Sequence, residues 1–481
     1  MLHRLRSLTF LLGLSSTALF AQAPEAHRIT GQIKGLKDAT CYLAHFFGPT
    51  QYTPRDTAKT DAEGRVVFTG TKKLPEGLYM IVVDAKPVLQ LVIGEQQFAF
   101  ETDTADVVSR MRVTGSRENE LFYSYQQYLR QKYEEMNVIQ GKARLQQDPT
   151  VPTRIAALQK EAADFRRNFL AKNKGTLTVK LLEAAADPEV PPLPRRADGS
   201  VDSTRLFQAY KARFFDNLDF SDDRLIRTPF LQQKIDRYIK ELTVQSADSL
   251  IKEADFIIGK ARANKEVLNH TIWYITSQYE QPKVLGTDGL YVHLVEKYWL
   301  TRQIEVSDTA TLTSLRERVQ TLKPLLTGKV LPNFSVQDTL GRFRSLNDIN
   351  AAYTVVFFYD PECGHCRESA PKLRQFYEAN KAKGLQIFAV AVQNSPEKWN
   401  QFIREFKLQK LMNGYGPSAG IDYKRRYDVY STPTVYVLDR SKKILARRLP
   451  IEDLEGYFDF LQRQQKPAPA KPAPTKASVK K

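Results

Sequence analysis

The 481-residue chain predicts a multidomain fold with an N-terminal all-β sandwich, a central all-α helical domain and a C-terminal α/β domain. Three patterns carry that expectation. Short apolar or alternating runs broken by turn residues fill 26–113, apolar residues at helical spacing fill 114–322, and strand-like and helix-like runs alternate over 328–464. With 42% hydrophobic and 26% charged residues the composition is that of ordinary globular domains.

Residues 1–21 begin with a basic stretch (His3, Arg4, Arg6), continue as an apolar run from Leu8 to Phe20, and end at Ala21 before Gln22. That reads as a cleavable secretory signal peptide and implies a periplasmic protein, with an uncleaved anchor as the alternative. The run is short for a span, and no later stretch could cross a bilayer after the signal is removed. An exported chain with three cysteines is not a disulfide-stapled scaffold.

From Arg28 to about Arg112 the runs Arg65–Phe68, Leu78–Val83, Val88–Ile93 and Gln97–Glu101 are separated by Asp61-Ala62-Glu63-Gly64 and Pro75-Glu76-Gly77, the punctuation of a small sandwich. Cys41, in the strand expected over Thr40–Phe46, reads as a small buried hydrophobe. His27 and His45 are lone histidines with structural or surface roles. Ser116 is then a plausible N-cap, and Leu121, Tyr125, Tyr128 and Leu129 recur on one helical face. Leu231, Ile235, Tyr238, Ile239 and Leu242 form a further stripe, Leu250–Ile258 and Val267–Ile275 continue the period, and Pro188–Pro194 is a loop. Trp273 and Trp299 fall at core positions. The region holds no Gly-rich phosphate loop, HExxH or GxSxG, so no cofactor is expected; a partner-binding or dimerising surface is the functional reading left for it. The formal net charge of +17 comes without a nucleic-acid reading element, and no nucleic-acid partner is expected.

Pro324 and Gly328 mark the last boundary. Beyond the strand starting at Tyr353 and the helix after it, the alternation gives a strand Gln386–Val392, a helix from Pro396 to about Phe406, a helix-like Tyr423–Tyr430, strands Thr434–Leu438 and Lys443–Arg448 about a turn, and a helix Glu452–Gln464. Residues 465–481, rich in Pro, Ala and Lys, cannot bury enough apolar surface to fold and read as a disordered tail.

The chemistry concentrates in YTVVFFYDPECGHCRESAP, Tyr353 to Pro371. A strand that delivers Cys363 and Cys366 to the first turn of a helix sets two thiols among unpaired backbone N–H groups at the positive end of a macrodipole, and both favour thiolate. Residues at i and i+3 lie on one face, within reach of a disulfide. Cys363, at the helix start, is the expected nucleophile and Cys366, a turn deeper, the resolving thiol. His365, when protonated, favours the Cys363 thiolate, Glu362 and Asp360 oppose it, and Gly364 completes the Cys-Gly-His-Cys motif. A zinc site would need a second ligand pair, and only Cys41 remains, so no metal is expected. Thiol peroxidases place their cysteine in a Pro-x-x-x-Thr-x-x-Cys pattern, where this chain has Val356 and Asp360.

With these motifs in view, residues 328–460 resemble the thioredoxin-like domain of the TlpA/ResA class of periplasmic thiol–disulfide oxidoreductases. The matching pieces are GKVLPNF followed by VQDTLGRFRSL, Cys363–Cys366, Pro371, and Ser431-Thr432-Pro433-Thr434 before VYVLD. The resemblance implies a cis Pro433 against the cysteine pair, with Thr432 and Pro433 contacting a substrate strand. Phe357 stands where thioredoxins carry a buried Asp, and Ser369, beside Glu368, where many relatives carry Glu. The Gly-His dipeptide is that of protein disulfide isomerases. The N-terminal segment with DTAKTDAEGRVVFTG resembles an uncharacterised β-domain that precedes TlpA-like domains, and 116–320 resembles the helical insert of such proteins. The function implied is an exported protein disulfide reductase or isomerase acting on disulfide-containing exported proteins and recharged by an electron-donor thiol system. The alternatives are a binding or assembly protein with an incidental redox pair, and a thiol peroxidase.

Overall fold

A computed structural model describes residues 25–465 apart from 48–50, 147, 193, 194, 197 and 307; the expected signal peptide, and the expected tail after Gln465, lie outside the described residues. The chain forms two compact units, Met1–Gln233 and Lys234–Lys481, so the helical stretch is divided between them.

The first unit opens with β1 (His27–Lys34), β2 (Thr40–Phe46), β3 (Tyr52–Lys59), β4 (Arg65–Gly70), β5 (Gly77–Val83), β6 (Lys86–Ile93), β7 (Gln97–Asp103), one helical turn α1 (Val107–Arg110) and β8 (Arg112–Thr114). They make two four-stranded sheets, ordered β4-β1-β7-β8 and β3-β2-β5-β6. β7 alternates, with Phe98, Phe100 and Thr102 buried, whereas β5 is buried throughout. β3 escapes a hydrophobicity reading because it is a polar edge strand containing Pro54, a residue that only an edge tolerates. Cys41 is fully buried, and burial pushes its thiol up. His27 and His45 are buried and bonded, His27 to the Lys72 carbonyl and Asp56, His45 to the Phe46 carbonyl and Arg55.

Helices α2 (Arg117–Gln146), α3 (Val151–Lys172), α4 (Leu177–Ala185) and α5 (Ser203–Arg213) follow. The start of α2 is fixed by Asn119, whose amide exchanges two hydrogen bonds with the backbone of Val92 at 2.8 and 2.7 Å. The neighbouring Glu118 carboxylate accepts from the first N–H groups of α4, at Leu177 and Thr178. This docking turns Phe122, Tyr123 and Tyr125 into the core, so the buried stripe differs from the one anticipated: Leu121, Tyr128 and Leu129 are only half-buried.

The run α6 (Phe230–Glu241), α7 (Ala247–Ala261), α8 (Lys265–Tyr279), α9 (Gly289–Leu294) and α10 (Thr309–Leu322) leads into the second unit. In α6 Leu231, Ile235, Tyr238 and Ile239 of the expected stripe are buried, while Leu242 lies past the end of the helix and is half-buried. Trp299 is buried and donates to Thr276 at 3.0 Å. No helix among the described residues is long and apolar enough to cross a membrane.

The rest of the second unit comprises β9 (Ser335–Gln337), β10 (Phe343–Ser345), β11 (Tyr353–Tyr359), α11 (Gly364–Asn380), β12 (Leu385–Ala391), α12 (Pro396–Glu405), β13 (Met412–Tyr415), α13 (Tyr423–Tyr427), β14 (Thr434–Asp439), β15 (Ile444–Arg447) and α14 (Leu454–Gln465). The seven strands form one sheet, ordered β10-β9-β13-β12-β11-β14-β15. β11 is central, parallel to β12 and antiparallel to β14. All seven of its residues are buried, because the sheet is covered on both faces. Val355, Phe357 and Tyr359 enter one core with α11, α12 and α14, while Val356 and Phe358 enter the other with Phe334, Tyr427 and Tyr436.

The helix anticipated over Tyr423–Tyr430 stops at Tyr427. Asp428 adopts a left-handed conformation (φ 55°) and is fully buried. Its carboxylate accepts from Arg447 at 2.8 Å, from Arg448 at 3.0 Å and from Arg318 of α10. Arg447, itself buried, also pairs with Asp288 before α9. β13, a strand not anticipated from the sequence, is short and carries Gly414, where a Cβ would come within 2.5 Å of Val336.

Candidate active site

The buried central strand ends at Tyr359, and the chain turns at Asp360. That carboxylate accepts from the Glu362 N–H at 2.9 Å and from the side chains of Gln393 and Asn394, while the Asp360 carbonyl accepts from the Cys363 N–H at 3.1 Å. The turn ends by setting Cys363 as the N-cap of α11 with no side-chain cap, so its sulfur sits among N–H groups that lack helical partners. Sequence reading missed this role for Asp360; its signal was Asp-Pro-Glu at the strand end, the pattern of a side chain bonding the backbone two residues on.

Cys363 is half-buried and Cys366 fully buried, and both are free thiols, so the expected disulfide between them is not formed in this structure. The two thiols are near enough for each to act on the charge of the other. Burial works to raise the Cys363 thiol, but hydrogen bonds from Thr432, from the Cys366 N–H and thiol and from the His365 N–H outweigh it and hold the thiol below its ordinary value. Burial pushes Cys366 up to about 12 against the weaker effect of the Asp360 backbone. One turn of helix thus separates a poised thiol from a protonated one.

Opposite the pair lies the loop before β14. The Thr432–Pro433 bond is cis, and the Cys363 thiol donates to the Thr432 carbonyl at 3.3 Å. The Thr434 hydroxyl donates to the Ser431 carbonyl at 2.7 Å and closes the loop. The residues expected on either side of the reacting centre, Cys363, Cys366, Thr432 and Pro433, are brought together.

The flanking residues are arranged otherwise than their charges suggested. The His365 ring is largely exposed, 3.6 Å from Glu368, and it is the His365 backbone that bears on the Cys363 sulfur. Glu362 is paired with Lys398, which offsets its charge. Gly364 faces open space, so the surface over Cys363 stays low. Phe357 lies in the core, Ser369 is half-buried, and Glu368 turns outward to His365. On the floor, beside Cys366, the Tyr359 hydroxyl and Trp399 Nε1 are buried close together without a hydrogen bond of good geometry. Below the loop is a cavity of about 370 Å³ bordered by His365, Lys372, Ser431 and Pro433.

Residues 327–447 match the AhpC/TSA family, 27–122 a domain of unknown function, DUF4369, and 171–321 a second one, DUF5106. The chain is similar to the thiol-disulfide oxidoreductase ResA of Bacillus cereus, with 26% identity over 134 residues, 27% of this chain and 76% of that protein. ResA of Bacillus subtilis is 26% identical over 124 residues, 24% of this chain and 64% of the relative. Among solved structures, a domain of a possible thiol-disulfide isomerase from Cytophaga hutchinsonii is 40% identical, covering 29% of this chain and 96% of that one, with a TM-score of 0.28. A thioredoxin-like protein from Bacteroides caccae is 20% identical, covering 56% and 98%, with a TM-score of 0.46.

Proposed function

We propose, from the premise that its C-terminal domain makes this chain a thioredoxin-like thiol–disulfide oxidoreductase of the ResA kind, that it is an exported protein disulfide reductase or isomerase working through Cys363-Gly364-His365-Cys366. The observation that carries the reading is the contrast within the pair: Cys363 lowered at a helix N-terminus against Thr432, and Cys366 raised to about 12 beneath it.

The Cys363 thiolate attacks one sulfur of a client disulfide, forming a mixed disulfide and expelling the client's other sulfur as thiolate, which takes up a proton from solvent. Cys366 loses its proton and attacks Cys363, closing the Cys363–Cys366 disulfide and releasing the client's second thiolate. The client gains two electrons and the site loses two, which a donor dithiol of the compartment returns. Thr432 and Pro433 offer the backbone edge along which the client strand lies. For isomerisation the mixed disulfide is resolved by another client thiol instead. Export rests on the charge and apolar pattern of residues 1–21. Disulfide exchange is favoured over peroxide reduction because Asp360 and Val356 stand where the peroxidase pattern has Thr and Pro.

Cys366→Ser, expressed in the native host with free thiols blocked at harvest, tests the reading. The variant accumulates client proteins linked to Cys363 and released by dithiothreitol, while Cys363→Ser/Cys366→Ser accumulates none. Equal recovery from both removes the reading.

A further inference from the structure

A second, larger cleft opens beside the thiol site. It measures about 780 Å³, within the range of pockets that hold specific ligands, and lies between the 281–286 turn that precedes α9 and the face of α14 carrying Tyr457 and Phe460. The same four residues, Arg448, Leu449, Pro450 and Glu452, border both this cleft and the cavity beneath the Thr432–Pro433 loop, so the two adjoin across one ridge. Its walls expose large apolar side chains, Val284 at 44%, Leu285 at 39% and Phe460 at 50%. Both walls are fixed: Arg447 pairs with Asp288 at the end of the turn, and the Tyr457 hydroxyl donates to the Leu445 carbonyl at 2.8 Å.

We propose that this cleft is the client-binding extension of the thiol site, taking an extended segment of the disulfide-bearing polypeptide with a large apolar side chain a few residues from the cysteine that reaches Cys363. The inference rests on the function proposed above and names its substrate class. The shared ridge selects the occupant. Whatever fills the larger cleft and continues past Pro450 arrives at Pro433 and must present a sulfur to Cys363. A second copy of this chain offers, outside its own dithiol, only Cys41, which is fully buried. A small disulfide would fill the inner cavity and leave Val284, Leu285 and Phe460 uncovered.

The test compares catalysed insulin reduction, with dithiothreitol as donor and the uncatalysed rate subtracted, with stoichiometric reduction of 5,5′-dithiobis(2-nitrobenzoate) by pre-reduced protein freed of dithiothreitol, in the full chain and in Leu285→Glu and Phe460→Glu. A charge on either apolar wall raises KM for insulin about tenfold, whereas the loss is confined to the polypeptide and the small disulfide is reduced with less than about a twofold change. Leu285→p-benzoylphenylalanine in a Cys366→Ser background crosslinks to insulin held on Cys363, a readout independent of how the charged variants fold. Unchanged KM for insulin in both charged variants together with absence of the crosslink overturns the cleft and leaves the dithiol reading standing. Failure of the unaltered chain to reduce either disulfide overturns the dithiol reading itself. Faster insulin reduction by a chain ending at Gln465 would assign the cleft to residues 466–481 instead and overturn the proposal.

Discussion

Replacing Asp428 by Ala removes, among the described residues, the only carboxylate paired with Arg448 and one of the two paired with Arg447, at the point where the chain leaves α13 for the Thr432–Pro433 loop. Three guanidinium groups converge on it, and both Asp428 and Arg447 are buried, so the loss is that of a broken buried pair rather than a surface one. Breaking such a pair costs about 3–5 kcal/mol, because a charge is left in low dielectric without its partner. For a unit of this size that is a fall of about 10 °C in the transition. Differential scanning calorimetry of the reduced protein reads the shift, and insulin reduction reads the loop: the variant loses activity through Thr432, although Asp428 touches neither thiol. Adding Arg447→Met to Asp428→Ala does not recover the loss, because it strips the buried Asp288 carboxylate of its partner. A transition within about 1 kcal/mol of the unaltered chain would refute the reasoning.

Three further outcomes follow from the site. At pH 8 iodoacetamide alkylates Cys363 far faster than Cys366, whose thiolate fraction with a value near 12 is about one part in ten thousand; equal rates by mass spectrometry would contradict the arrangement. Because the folded state keeps the Cys366 proton that the unfolded state releases above the ordinary value of 9.0, the reduced protein loses stability as pH rises from 9 towards 12. Cys366→Ala flattens that slope in urea titrations, and an unchanged slope would assign it elsewhere. Tyr359→Phe removes a buried hydroxyl that lacks a well-formed hydrogen bond, and it leaves stability unchanged or raises it by about 1 kcal/mol; a loss of that size would show the hydroxyl to be well bonded.

The parts of this chain that were legible in its sequence are those where one local rule decides. The apolar run Val355–Tyr359 could only be a strand buried on both faces, and two cysteines one helical turn apart after a proline-bearing turn could only share a face. What escaped depends on partners distant in sequence. β3 owes its strand to pairing with β2 rather than to its own residues, and β13 to its neighbours in the sheet. The end of α13 at Asp428 is set by Arg318, 110 residues away, and by Arg447. The charges around the cysteines were legible as residues but not as directions: His365 turns to Glu368 and Glu362 to Lys398, leaving Thr432, Cys366 and the His365 N–H to act on Cys363.

The most direct measurement equilibrates the protein in glutathione buffers of graded redox potential and counts free thiols by labelling and peptide mapping. If Cys363 and Cys366 are a working pair, two of the three thiols disappear together in one reversible two-electron transition, the mapped bond joins Cys363 to Cys366, and Cys41 stays free. Loss of thiols singly, or a bond that includes Cys41, would contradict the account.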